Sequence, residues 1–396
     1  MNAALLLLLL LAGSSLASFA LDRWGRRGYG LITGAEFFAV GIALGPVGLD
    51  LVPRELLSQA RAPLALACCW LGFRFGLRLR PAALRAAGPG LVLGSQLEPL
   101  LAFGLLWAGL LGLDRALGLG IPWPLRLGLA AIGSATTKSA LGWIQGRHRA
   151  EGRVTAALAA VTGFDDLAGI VAIAVLFAFA RPAATRLPPG ALAPALATLG
   201  LGAGLVALGL LFLGRGQLRA DLAWIALFGL CSLGCGLATE LGSAPVAVGS
   251  LLGIGLGWLS PHGDSIVQIT EPTERPLVMG LLLLGGAWIP ATGGVLAVAF
   301  LFAALRILSK LASGAFVALL PLRDMPRLPT LGAGLLAGGG LPLALAFSCA
   351  LALPDPAGPL FLAACGATVL TGDLIGAPAL KWLLTRHGEI PPAEAR

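Results

Sequence analysis

Two adjacent carboxylates, Asp165 and Asp166, stand in the stretch VTGFDDLAGIV, inside an apolar run long enough to cross a bilayer. A charge at the bilayer centre costs about 2.5 kcal/mol or more even on the mildest scale, so it needs a partner, water or a function. On a helix the two side chains point about 100° apart and cannot both face one partner. Neighbouring carboxylates in a medium of low dielectric titrate as a pair, and such a pair can exchange protons for a hard cation. The plainer reading is a buried ion pair that fixes helix packing.

The candidate counter-charges are equally sparse. The chain holds three lysines against twenty-four arginines, yet Lys138 in GSATTKSALG and Lys310 in LRILSKLASG both fall in apolar runs. Lysine is a compact charge that yields its proton more readily than arginine, which suits it to partner a titrating aspartate. Snorkelling to an interface is the alternative, stronger for Lys310. Asp373, in TVLTGDLIGAP, occupies the last apolar run, at the place matching the Asp165–Asp166 segment in the other half of the chain. Pairing with Lys310 or Arg306 and service as a second titrating site are both open for it. Glu36, Arg74, Glu98, Glu240 and Arg306 complete the set of charges in apolar surroundings, as interfacial or paired groups.

The elements that must position these residues are transmembrane helices. The chain of 396 residues is 57% apolar and 12% charged, and apolar runs recur from end to end, so it reads as an all-α polytopic membrane protein. About thirteen spans are expected, near 3–20, 30–49, 63–80, 89–112, 121–144, 154–180, 190–214, 222–241, 243–259, 276–292, 293–320, 330–353 and 358–384. The first lacks a basic flank before it and reads as a spanning helix, not a cleaved signal. Counting arginines in alternate loops gives about fourteen on one side, including Arg23, Arg78, Arg80 and Arg147, against six on the other, including Arg54 and Arg181. The positive-inside rule then places the amino terminus outside and the carboxyl terminus in the cytoplasm of a bacterial-type inner membrane. The net charge of +8 therefore reads as topology and not as nucleic-acid binding. The six cysteines lie without metal-ligand spacing and read as apolar filler.

Two spans are poor continuous helices. AAIGSATTKSALG gathers Ser134, Thr136, Thr137 and Ser139 around Lys138, and LGAGLLAGGGLPLALA carries Gly338, Gly339, Gly340 and Pro342 in its middle. Interrupted helices at membrane depth are tolerated only where the exposed backbone lines a cavity or site. One interruption in each half is the pattern of a transporter built from repeated halves.

These residues resemble the monovalent cation:proton antiporters, in the sodium/proton exchanger and Kef-like branch. AEFFAVGIALGPVGLDLV is similar to that family's second helix and LACCWLGFRFGLRLRPAALR to its third. GSATTKSA followed by GFDDLAGIVAI resembles the broken helix and the ion-binding helix; LATELGSAPVAVGSLLGIGL resembles the eighth and ninth spans. LRILSKLASG resembles the lysine-bearing helix and LGAGLLAGGGLPLALA the second broken helix. The resemblance implies two inverted repeats with two crossing broken helices, and a homodimer. It implies scaffold helices in 1–86 and 221–292, a linker in 183–220, and a mobile core in 87–182 and 293–396 that moves like an elevator. It further implies that Asp166 binds the cation or a proton, that Asp165 is salt-bridged to Lys310, and that Thr136 and Thr137 add neutral oxygens, which a hard cation prefers.

Three departures stand out: Lys138 in the first break, Arg74 where many relatives carry glutamate, and GGGLP where many carry Arg-Gly-Glu. The expected function is electrogenic exchange of protons for sodium, potassium or lithium, without an organic cofactor. The expected partners are the cation, the proton, membrane lipid and a second copy. The alternatives are a Kef-type efflux channel, whose regulatory domain a separate subunit would have to supply, and a non-transporting homologue whose site Lys138 occupies. An intramembrane aspartyl protease is disfavoured, because Leu370 stands where that chemistry expects a glycine before Gly372.

Overall fold

The computed structural model describes residues 34–52, 59–180, 192–214, 219–289, 293–322, 325–353 and 357–390. The first expected span, with Arg23, Arg26 and Arg27, lies outside the described residues, as do Arg54, Arg181, Arg186, Arg215 and Arg323. Among the described residues all regular structure is helical. Six helices are long and apolar enough to cross a bilayer, or eight if each of two sharply bent pairs is one span. Other expected spans fall short of that length because they are only 10 to 15 residues long or are split in two.

The first helices are α1 (Ala35–Leu44), α2 (Arg61–Arg78), the short α3 (Pro81–Ala87) and the long α4 (Pro89–Leu117). Pro81 and Pro89 each open their helix, where a missing amide hydrogen is harmless. The first broken span is α5 (Trp123–Ser134) and α6 (Ser139–His148); α7 (Arg153–Phe164) and α8 (Asp166–Ala180) follow. Then come α9 (Leu192–Leu213), α10 (Ala220–Glu240), α11 (Pro245–Leu259), α12 (Gly263–Thr270), α13 (Glu274–Ala287) and α14 (Gly293–Leu319). The second broken span is a 3₁₀ segment, Pro329–Leu335, and α15 (Gly340–Ala352). The last is α16 (Ala357–Thr371), a π-helical turn over Gly372–Gly376, and α17 (Ala377–Arg386).

Glycine sets the closest crossings. On α2 and α11, Gly72 and Gly76 face Gly249 and Gly253 so closely that an added Cβ on any of them would overlap backbone of the other helix. Gly41 of α1 and Gly45 just past its end meet the backbone of α13 in the same way, and Gly286 answers from the other side. With lipid as apolar as any side chain, such backbone contact supplies the dispersion that holds membrane helices together. The Phe38 ring of α1 also fills the notch above Gly366 of α16, where no Cβ could fit.

Both interruptions expected from the sequence are present. Residues 135–138 and 336–339 leave helical structure, and they touch, the Thr137 amide donating to the Ala337 carbonyl at 3.3 Å. The bend at the second break is 64°. Gly339 and Gly340 carry no side chain because Thr137 and Val278 lie where one would go. Pro342 sits in the first turn of α15, where its ring breaks no hydrogen bond. The first half of this span is 3₁₀ and not α-helical.

Candidate functional site

The carbonyls freed by the two breaks need donors in a medium without water, and Arg306 of α14 supplies them. Its buried guanidinium donates to Leu336 O at 2.6 Å, Ala135 O at 3.1 Å, Gly133 O at 3.2 Å and Ala337 O at 3.4 Å. One side chain thus ties both breaks at their crossing, a task suited to the fixed fork of a guanidinium.

Against this crossing lies a third irregularity. The helix interrupts at Asp165, between α7 and α8, and Gln96 of α4 satisfies the Phe164 carbonyl at 2.6 Å. Asp165 and Asp166 are almost wholly buried. Asp165 Oδ2 accepts from the Thr136 amide at 2.9 Å, and Asp166 Oδ2 from Arg78 Nη1 at 3.3 Å. Their other oxygens, Asp165 Oδ1 and Asp166 Oδ1, are buried without a hydrogen-bond partner, and so is Thr136 Oγ1. Thr137 turns its hydroxyl to Ser139, 2.8 Å away.

The expected salt bridge between Asp165 and Lys310 is corrected. Lys310 Nζ lies 3.0 Å and 3.3 Å from the two oxygens of Glu98 on α4, and Ser313 donates to the same carboxylate at 2.6 Å. Glu98 and Lys310 face each other directly across the α4–α14 contact, whereas Asp165 is met first by the amide of the break. Asp373, on the π-helical turn, accepts from the Ala35 amide at the start of α1 at 3.3 Å. Arg306 is engaged by carbonyls and Lys310 by Glu98, and Asp373 contacts the α1 amino terminus.

Two functional candidates escaped the sequence reading. Arg78 was counted among loop arginines, but it ends α2 against Asp166 and also donates to Glu274 of α13. Glu274 receives Arg74 as well, at 3.4 Å, and Arg74 donates to Thr270 at 2.8 Å and Val267 O at 3.1 Å. The available signal was the four-residue spacing of Arg74 and Arg78, which puts both on one helix face. Lys138 is half-buried, with its ammonium 5.9 Å from the centre of the Phe164 ring. The cation in ion-pair contact with Asp166 is Arg78. A cavity of about 510 Å³ opens over this group, lined by Glu36, Arg74, Arg78, Lys138, Glu274 and Gly339.

The fold is similar to solved structures over nearly the whole chain. The fold is that of a sodium/proton antiporter. The sodium proton antiporter MjNhaP1 of Methanocaldococcus jannaschii, in its structure at pH 8, aligns with 97% of this chain and 98% of its own, with a TM-score of 0.70 and 18% identity. A second structure of MjNhaP1, from an electron-microscopy map, covers 98% and 97% respectively, with a TM-score of 0.63 and 18% identity. No protein-family model and no curated protein sequence matches the chain. With the antiporter fold and its long apolar helices, the chain is a multi-pass membrane protein.

Proposed function

We propose that the protein is a secondary antiporter exchanging protons for a monovalent cation. Sodium is the first candidate, because the structural neighbour is described as a sodium proton antiporter. One observation carries the reading: beside the crossing of two broken helices, Asp165, which accepts from the Thr136 amide, its neighbour Asp166 and Thr136 each hold a buried side-chain oxygen without a hydrogen-bond partner. Buried polar atoms are ordinarily paired, so a cluster of acceptors lacking donors is the surrounding a desolvated cation or a proton requires. Asp166 is the main ion carboxylate in this reading, with Asp165 and Thr136 beside it and break carbonyls nearby.

The helices α1 to α3 with α10 to α13 form the scaffold, and α4 to α8 with α14 to α17 the mobile core, which carries the site across the bilayer like an elevator. The glycine-lined pair α1–α13 and the glycine-lined pair α2–α11 relate the halves as inverted repeats would, span two to ten as span nine to three. The assembly is a homodimer in a bacterial-type inner membrane, with its carboxyl terminus in the cytoplasm. Exchange moves more than one proton per cation, with Asp165 as second proton carrier in place of Lys310. Membrane voltage then contributes about 2.3 kcal/mol per net charge per 100 mV.

The test is dequenching of a pH-sensitive dye in liposomes holding the purified protein and an imposed pH gradient. Addition of one alkali cation should collapse the gradient, and Asp166→Asn should abolish the response. Equal responses from wild type and Asp166→Asn, or none to any alkali cation in wild type and in Arg78→Gln, would sink the reading. A second reading, a homologue locked against transport, is favoured by the Arg78–Asp166 ion pair; it expects silence in wild type and exchange once Arg78 is neutralised.

A further inference from the structure

Arg78 stands where four groups meet. Its guanidinium lies on Asp166 at 3.3 Å, donates to Glu274, and covers the Phe75 ring at 4.6 Å from the centroid. It is also the last residue of α2, before a bend of 51° into α3. Glu274 in turn holds Arg74, whose guanidinium is anchored by Thr270 and the Val267 carbonyl. An ion-pair chain Arg74–Glu274–Arg78–Asp166 therefore runs from α2 and α13 to the buried carboxylate at the start of α8.

We infer that Arg78 is a tethered competitor for the cation: it occupies Asp166 when no ion is bound and withdraws onto Glu274 when one arrives. This rests on the antiport reading and adds to it the residue that sets apparent cation affinity. Geometry supports the withdrawal, because Arg78 released from Asp166 keeps one carboxylate and one aromatic face, so its charge is never left bare. The charge also stays beside the site in either position, as replacement and not removal requires. Asp166 alternates between partners that are all positive: a proton, the cation or Arg78. Breaking the Asp166 contact also removes the ion pair that links the start of α8 to the end of α2.

A site blocked by its own side chain for most of the time shows an affinity reduced by the open fraction, and removing the blocker restores the difference. In proteoliposomes, Arg78→Gln should lower the apparent KM for the transported cation by about tenfold, while kcat stays level or falls. Arg78→Lys, which keeps the charge but loses the fork that serves two carboxylates, should fall between. Glu274→Gln should shift KM the other way, because Arg78 then has only Asp166 as a carboxylate partner. Opposite shifts from two substitutions in one ion-pair chain are not what general loss of structure produces.

Stabilisation of the detergent-solubilised protein by sodium, lithium or potassium chloride, against choline chloride, reads binding without transport and should follow the same order. Exchange by wild type with KM unmoved or raised in Arg78→Gln overturns the inference and leaves antiport standing. A shift of equal sign in Glu274→Gln overturns it as well. Exchange appearing only in Arg78→Gln overturns the withdrawal and leaves Arg78 as a permanent block, as in the locked reading. Silence in every protein, in both flux and stabilisation, overturns the antiport reading and this inference together.

Discussion

Glu98 and Lys310 form an ion pair 3.0 Å long with no solvent exposure on either side chain. Both charges have lost their water, and Ser313 supplies the remaining donor on the carboxylate side. Such a pair adds little net stability over well-packed apolar residues, but removing one partner strands the other at high cost. Lys310→Met alone should destabilise the protein by about 3–5 kcal/mol, and Glu98→Leu with Lys310→Met should recover most of that loss. Thermal unfolding in detergent checks it; equal damage in single and double variants would count against the pair as described.

Arg306 leads to a sharper expectation. Its four carbonyl contacts reach both breaks, and each buried acceptor left alone costs about 1–3 kcal/mol. Arg306→Met should abolish monodisperse folded protein. Arg306→Lys should fold with reduced stability, because one ammonium cannot span both chain segments. Size-exclusion profiles and melting temperatures of the two variants distinguish these outcomes.

Glu389, beyond α17, lays its carboxylate on the first turn of α7, accepting from the amides of Val154 and Thr155 at 2.7 Å each and from the Thr155 hydroxyl at 2.8 Å. A negative cap on a helix amino terminus contributes about 1 kcal/mol. Glu389→Ala should speed amide hydrogen exchange at Val154 and Thr155 several-fold while leaving α15 unaffected. Uniform acceleration throughout the protein would mean the contact is not local.

The glycine-lined crossings predict a contrast between two alanines. Gly249→Ala would drive a methyl group into the Cys69 carbonyl of α2, whereas Gly104→Ala on α4 meets nothing within 4 Å. The first should lower the melting temperature markedly, and the second should be neutral or stabilise by about 0.5–1 kcal/mol through helix propensity. Parallel melting curves for the two variants are sufficient.

Much of the fold was legible because lipid forbids ambiguity. Apolar runs of spanning length read as helices, and GSATTKSALG with GLLAGGGLPL, one in each half, read together as interruptions. The carboxylates of the site were legible for the same reason, since each charge in an apolar run demands an account. Partner choice was not. Whether Lys310 meets Asp165 or Glu98 depends on how α4 and α14 are rotated, and side-chain spacing along one helix holds no information about its neighbour's rotation. Arg78 was hidden by position: it follows the apolar run, where arginines ordinarily mark a loop, and only the extent of α2 brings it back to Asp166. The segment PHGDSIVQITEPTER falls between two expected spans, yet it holds α12 and the start of α13 and brings Thr270 and Glu274 to the two arginines.

The socket that Gly366 offers to Phe38 has a mechanical consequence. Residues one turn away from Gly366 on α16 are Leu362 and Leu370, and those three or four steps off include Ala363 and Val369, each carrying a side chain. A ring lifted out of the notch therefore finds no second seat of the same depth along the helix. Sliding between α1 and α16 is not a smooth glide over equivalent positions but a detent with one deep register, and any other register must be held by contacts elsewhere.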